Sequence, residues 1–187
     1  MLRAVHEEGA SEAHAIVAFW KDAGLELWFA NDSEFDARFR SRFLDLYEQA
    51  AAGALDHWTT SPTGTLALIL LLDQFPRNAF RGTPKVYATD AHARRVATVA
   101  VAWGQDLLVD RDLRLFIYLP FGHSEDIRDQ ERARELVEHL GPAFSERAQN
   151  YTNIIRYFGR FPHRNEILGR HTTSEEEQFL RDGGFSG

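Results

Sequence analysis

The stretch Ile69–Gly82, ILLLDQFPRNAFRG, decides how the chain reads. It closes an uninterrupted apolar run, Leu66–Leu72, of a kind that only a buried segment can use. Within one turn the run gives way to Asp73, Gln74, Phe75, Pro76, Arg77, Asn78 and Arg81. A buried helix that ends in an acid, an amide and two arginines places polar chemistry at the edge of a core. Two distant stretches share this grammar: RLFIYLPFGHSED at Arg114–Asp126 and FGRFPHRNEILGR at Phe158–Arg170. Each contains an apolar–proline step, at Phe75–Pro76, Leu119–Pro120 and Phe161–Pro162. Proline removes a backbone donor and disfavours helical geometry in the residue before it, so each step predicts a junction with proline opening the next helix. The first and third steps are a loose echo of one another, and two occurrences do not establish a repeat.

Outward from these steps, periodicity predicts helices nearly everywhere. Ser11 is a cap for a first helix that stops at Gly24, and Asn31–Asp32–Ser33 offers caps for a second running to about Ala52. Phe35, Phe39, Phe43, Leu46 and Tyr47 form an aromatic stripe along that second helix, read as core. Ser61–Pro62 opens the helix that leads to the first step, Thr89 caps Asp90 to about Trp103, and Asp110 opens the helix leading to the second step. Ser124 is expected to cap Glu125–Leu140, Gly141–Pro142 to separate it from a helix over Ala143–Tyr157, and a short helix to reach Gly169. Thr173 and Glu176 have capping-box spacing. No segment alternates with period two, so the fold class is all-α: eight to ten antiparallel helices, no sheet, one domain over 1–187 with flexible ends at 1–10 and 183–187.

Composition narrows the function classes. A net charge of −7 without a basic stripe excludes a nucleic-acid surface. Only two lysines, Lys21 and Lys85, accompany the arginines, so the cations are mostly forked and planar. With no cysteine there is neither a disulfide framework nor thiolate metal chemistry. No apolar run is long enough to span a bilayer and the N-terminus lacks a signal-peptide core, which predicts a cytoplasmic protein with no membrane partner.

The strings LDQFPRN at Leu72–Asn78, YLPFGHSED at Tyr118–Asp126 and FGRFPHRN at Phe158–Asn165 resemble a largely bacterial family known as domain of unknown function 924. Phe19–Trp20, Trp28–Phe29, the pattern at Asp32–Asp36 and the segment TSEEEQFL extend the resemblance over nearly the whole chain. It implies an all-α fold similar to tetratricopeptide-repeat superhelices, although no standard tetratricopeptide consensus is present, and it implies no activity. Similar sequences carry histidine where this chain has Tyr151.

The candidate site residues come from the three steps. Asp73, Arg77, Asn78, Arg81, Arg160, Arg164 and Asn165 have the types that hold an anion, and His123, Glu125 and His163 those that move a proton. The same arginines could instead pair with Asp73, Glu125 and Asp126 and tie helices together. Ser124 has no nucleophile-elbow surroundings and reads as a cap. No HExxH or helical histidine pair is present, so no metal and no cofactor are expected, and His6, His14, His92, His139 and His171 read as surface. Two functions follow. One is a small-molecule site for an anionic metabolite at the proline steps. The other is a tetratricopeptide-like adaptor for a peptide or protein, with exposed aromatics such as Trp28 and Trp58 in an open groove and the polar strings closed as salt bridges. The oligomeric state is open.

Overall fold

The computed structural model describes residues 2–185, with side chains from residue 9 onward; His6 and part of the two ends expected to be flexible lie outside the described side chains. Among the described residues every regular element is helical and there is no strand. The chain divides into two compact units, Met1–Arg81 with Lys85–Pro120, and Gly82–Pro84 with Phe121–Gly187.

In the first unit, α1 (Leu2–Trp28) runs through Ser11, which therefore caps nothing, and is interrupted at Gly24, where φ is 68°. Asp32 caps α2 (Ser33–Ala51) by accepting the Phe35 N–H at 2.7 Å. The aromatic rings of the α2 stripe are core as predicted, with Phe35, Phe39, Phe43 and Tyr47 buried and Leu46 only half-buried, and Phe19 of α1 stacks on Phe35 and Phe39 at 5.4 and 5.3 Å. Each such ring taken from water contributes about 1.5–3 kcal/mol. Ser61 and Pro62 open α3 (Pro62–Ile69), and Gly64 is obligatory there, because a Cβ would lie 2.3 Å from the Trp58 carbonyl oxygen.

The first proline step is not a junction. Helical backbone continues from α3 through a π turn, Leu70–Gln74, into α4 (Phe75–Ala79), and Phe75 keeps helical φ and ψ of −53° and −48°. The Phe75 N–H reaches back five residues to Leu70, so the turn is one residue wider than an α turn where the ring of Pro76 has to fit. The carbonyl that Pro76 cannot satisfy, that of Leu72, instead accepts the Thr89 hydroxyl at 2.5 Å. Thr89 does precede α5 (Asp90–Ala102), but because its hydroxyl goes to Leu72 it makes no side-chain cap. Likewise α6 (Arg114–Gly122) runs through Pro120, so the second step is also interior to a helix.

The second unit holds α7 (Ile127–Val137), α8 (Pro142–Phe158) and α9 (Ser174–Arg181). Asp126, not Ser124, caps α7, accepting the Arg128 N–H at 2.9 Å. The Ser124 hydroxyl donates to Asp129 at 2.6 Å and accepts the Asp126 N–H at 3.2 Å, so the cap falls two residues later than the sequence suggests. Only the third proline step behaves as a junction: Phe161 is extended and Pro162 opens a 3-10 turn, Pro162–Arg164, that does not run on into an α-helix. Thr173 and Glu176 form the predicted capping box. At the far end of α9 the Gly184 N–H reaches Phe179 O at 2.9 Å, and a Cβ on Gly184 would meet the Phe179 ring at 2.5 Å. This close turn delivers Phe185 onto Tyr151 and His163, ring centroids 4.8 and 4.9 Å away. Ile154, Ile155 and Phe161 form the core of the unit, with Tyr151, Phe158, Phe179 and Phe185 packed against them.

Candidate functional site

The residues singled out at the first step gather around two carboxylates of the first unit. Arg77 forks onto Asp90 at 2.8 and 3.0 Å, and the same guanidinium donates to the Asp73 carbonyl at 2.7 Å and lies 3.3 Å from its carboxylate. Burial opposes the Arg77 charge, and Asp73 and Asp90 outweigh it, so its pKa is raised. The Asp73 side chain is fully buried and also accepts from Gln74 at 2.6 Å. Asp36 is the second hub, accepting from Asn78 at 2.7 Å and from Arg81 at 2.5 and 3.2 Å. The forked geometry is what planar guanidinium and carboxylate groups make best.

The residues of the other two steps meet in the second unit. Glu125 accepts the Phe161 N–H and an Arg170 donor, both at 2.9 Å. Burial would raise its carboxyl, but the Arg170 hydrogen bond, the Phe161 N–H and the charges of Arg164 and Arg170 prevail and hold it below the ordinary value. Arg164 donates to the His123 carbonyl at 2.9 Å and stacks over the Phe161 ring at 4.5 Å. Arg160 forks onto Glu176 at 2.6 and 2.8 Å. Glu176 further accepts from Asn165 at 3.1 Å and from the Thr173 N–H at 2.8 Å. These donors, the Arg160 hydrogen bond first, lower its carboxyl to about 2 against the burial that opposes them. Asp126 pairs with the neighbouring Arg128.

Sequence reasoning missed the carboxylates on the other side of these pairs, Asp36, Asp90 and Glu176, because each is 13 to 45 residues from its arginine. Their helix-start positions were visible, but not their direction. The exposed aromatics are also misplaced by the sequence. Trp28 and Trp58 are buried, Trp28 donating to the Trp20 carbonyl at 2.6 Å. Their place is taken by Tyr157, 72% exposed on α8. His92, expected at the surface, has a side chain only 15% exposed and lies 2.9 Å from Asp56. Among the described residues no group of three or more His, Asp or Glu side chains could hold a metal ion.

An open groove of about 670 Å³ lies between α8 and α9 in the second unit. Ile154, Tyr157, Phe158 and Phe179 form its apolar walls, and Asn153 and Gln178 stand among its polar positions. Glu175 is the only charged side chain that lines it among the described residues. Its volume falls within the range usual for binding clefts. The wall is held from behind: Phe158 packs on Phe179 at 5.1 Å, and the Phe179 ring in turn meets Gly184.

An all-α chain with these three strings is matched by the model of the family described as "Bacterial protein of unknown function (DUF924)" over residues 16–184. The protein belongs to that family. It is also similar to a solved structure, that of a protein of unknown function, ATU0120, from Agrobacterium tumefaciens. The two are 50% identical, the match covers 93% of this chain and 99% of the other, and the TM-score is 0.91. No curated protein matches the chain.

Proposed function

We propose that the protein is a protein-binding module whose α8–α9 groove receives an apolar anchor from a partner segment, and that the arginine–acid strings are struts. The observation that carries this reading is the groove itself: four apolar walls about 670 Å³ of open space, with Tyr157 72% exposed at its edge. Large exposed aromatics beside a concave apolar surface are where binding energy concentrates in protein interfaces. The adaptor thus keeps its groove but not Trp28 and Trp58, and it needs no tetratricopeptide superhelix.

An anion site at the proline steps is the weaker reading. Arg77, Arg81 and Arg160 each have a carboxylate in hydrogen-bond contact, so an incoming anion has to displace one. A Glu125 carboxyl held low is ionised at neutral pH and is a poor proton donor. The test is selection of displayed random peptides against the purified protein. The expected result is enrichment of sequences with an aromatic or aliphatic anchor, whose binding is lost in Tyr157→Ser. No enrichment, or binding indifferent to Tyr157→Ser, refutes the proposal. Because Tyr157 is exposed, that substitution leaves the fold intact.

A further inference from the structure

In the first unit, one turn is built inside out. Helix α5 ends at Ala102, and Gly104, with φ of 68°, turns the chain into the 3-10 segment Gln105–Leu108. The polar residues of this segment face inward. Gln105 and Asp106 are 7% and 5% exposed. Gln105 accepts the Thr65 hydroxyl at 2.7 Å and donates to the Thr59 carbonyl at 2.9 Å, and Asp106 accepts the Tyr118 hydroxyl at 2.7 Å. The apolar residues face outward: Trp103, Leu107 and Leu108 are 69%, 61% and 73% exposed. Ordinary burial would reverse this assignment. Three satisfied hydrogen bonds hold the polar pair in the core, so the apolar side chains are fixed outward rather than left there by a loose turn. Large exposed apolar side chains clustered on one turn mark an interaction surface.

The occupant can be argued from the chain itself. A projecting apolar turn needs a concave apolar surface, and the α8–α9 groove is one. The charges also match. Arg114 lies beside the turn, donating to the Leu107 carbonyl at 3.4 Å, while the charged side chain lining the groove is the Glu175 carboxylate. We propose that the Trp103–Leu108 knob of one copy docks in the α8–α9 groove of another copy, with Arg114 set against Glu175. This rests on the groove being a docking site, and it names a second copy of this chain as a partner. Such a contact is heterologous: knob and groove are different surfaces, so every associated pair leaves one knob and one groove available.

The test is sedimentation velocity of the full chain over a wide concentration range. The expected result for the wild type is a weight-average mass that rises with concentration. A knob variant (Trp103→Ser with Leu108→Ser) and a groove variant (Tyr157→Ser) should each remain monomeric. An equimolar mixture of the two should form a dimer and stop there, because only one intact knob and one intact groove remain per pair. All three positions are exposed, so unchanged thermal unfolding is the control, and Leu107→Ser is a second knob variant. A wild type that stays monomeric throughout overturns the proposal. So does association that the knob variant loses and the groove variant keeps, because that is knob against knob. If the wild type is monomeric while anchored peptides still bind at Tyr157, self-association fails and the groove stands; if neither occurs, both fail.

Discussion

Replacing Glu176 with glutamine tests whether the polar strings are struts. The carboxylate is 2% exposed and accepts from Arg160 twice, from Asn165 and from the Thr173 N–H. Its pKa falls from 4.5 to about 2. At about 1.4 kcal/mol per unit, the shift caps its contribution near 3.5 kcal/mol. The Arg160 side chain is 29% exposed, and water at that side screens the pair, which brings the expected figure to about 1–2 kcal/mol. A depressed carboxyl stabilises the fold fully above its unfolded value and loses that effect as pH falls toward the folded value. Urea denaturation of wild type and Glu176→Gln should therefore differ by about 1–2 kcal/mol at neutral pH, and the gap should shrink by more than half between about pH 5 and pH 3. The amide has nearly the shape of the protonated acid, so the two proteins converge where both are uncharged. Equal stability at pH 7, or a difference that does not change with pH, refutes the strut reading of the third string.

Other perturbations separate the same alternatives. Arg77→Ala should cost about 3–5 kcal/mol by urea denaturation, because it leaves the buried Asp73 carboxylate without its guanidinium; no loss would mean the cluster is held some other way. Thr89→Val should cost about 1–3 kcal/mol in the same assay, since the Leu72 carbonyl that Pro76 cannot serve loses its donor. Inorganic phosphate and citrate should not raise the melting temperature, because Arg77, Arg81 and Arg160 already hold carboxylates; a selective rise abolished by Arg164→Ala would restore the anion-site reading. Tyr151→His, the residue usual in similar sequences, should leave peptide binding at Tyr157 unchanged. Tyr151 packs on Phe161 and Phe185 and is not among the groove's lining residues.

Much of the fold was legible in the sequence because its determinants are local. The Phe35–Tyr47 stripe, the Ser61–Pro62 opening and the Thr173–Glu176 capping box depend on residues within a few positions of one another, and each stands as read. The proline steps were misread for the opposite reason. Pro76 looks like a helix end until Thr89, thirteen residues on, supplies the donor for Leu72. Pro120 is carried inside α6, and only Pro162 follows an extended residue and opens a new turn.

The sequence by itself determined that the chain is helical, that Leu66–Leu72 is buried, and that arginines and acids sit at helix ends. Periodicity and capping encode those facts over one or two turns. Only the tertiary structure decided which acid each arginine meets: Asp90 for Arg77, Asp36 for Arg81, Glu176 for Arg160. It alone decided that Trp28 and Trp58 lie inside while Trp103 and Tyr157 face solvent. Residue type favours burial for all four rings equally. Which of them reaches the surface depends on the hydrogen bonds that hold Gln105 and Asp106 inward and on how α8 meets α9, and those are contacts between residues far apart in the chain.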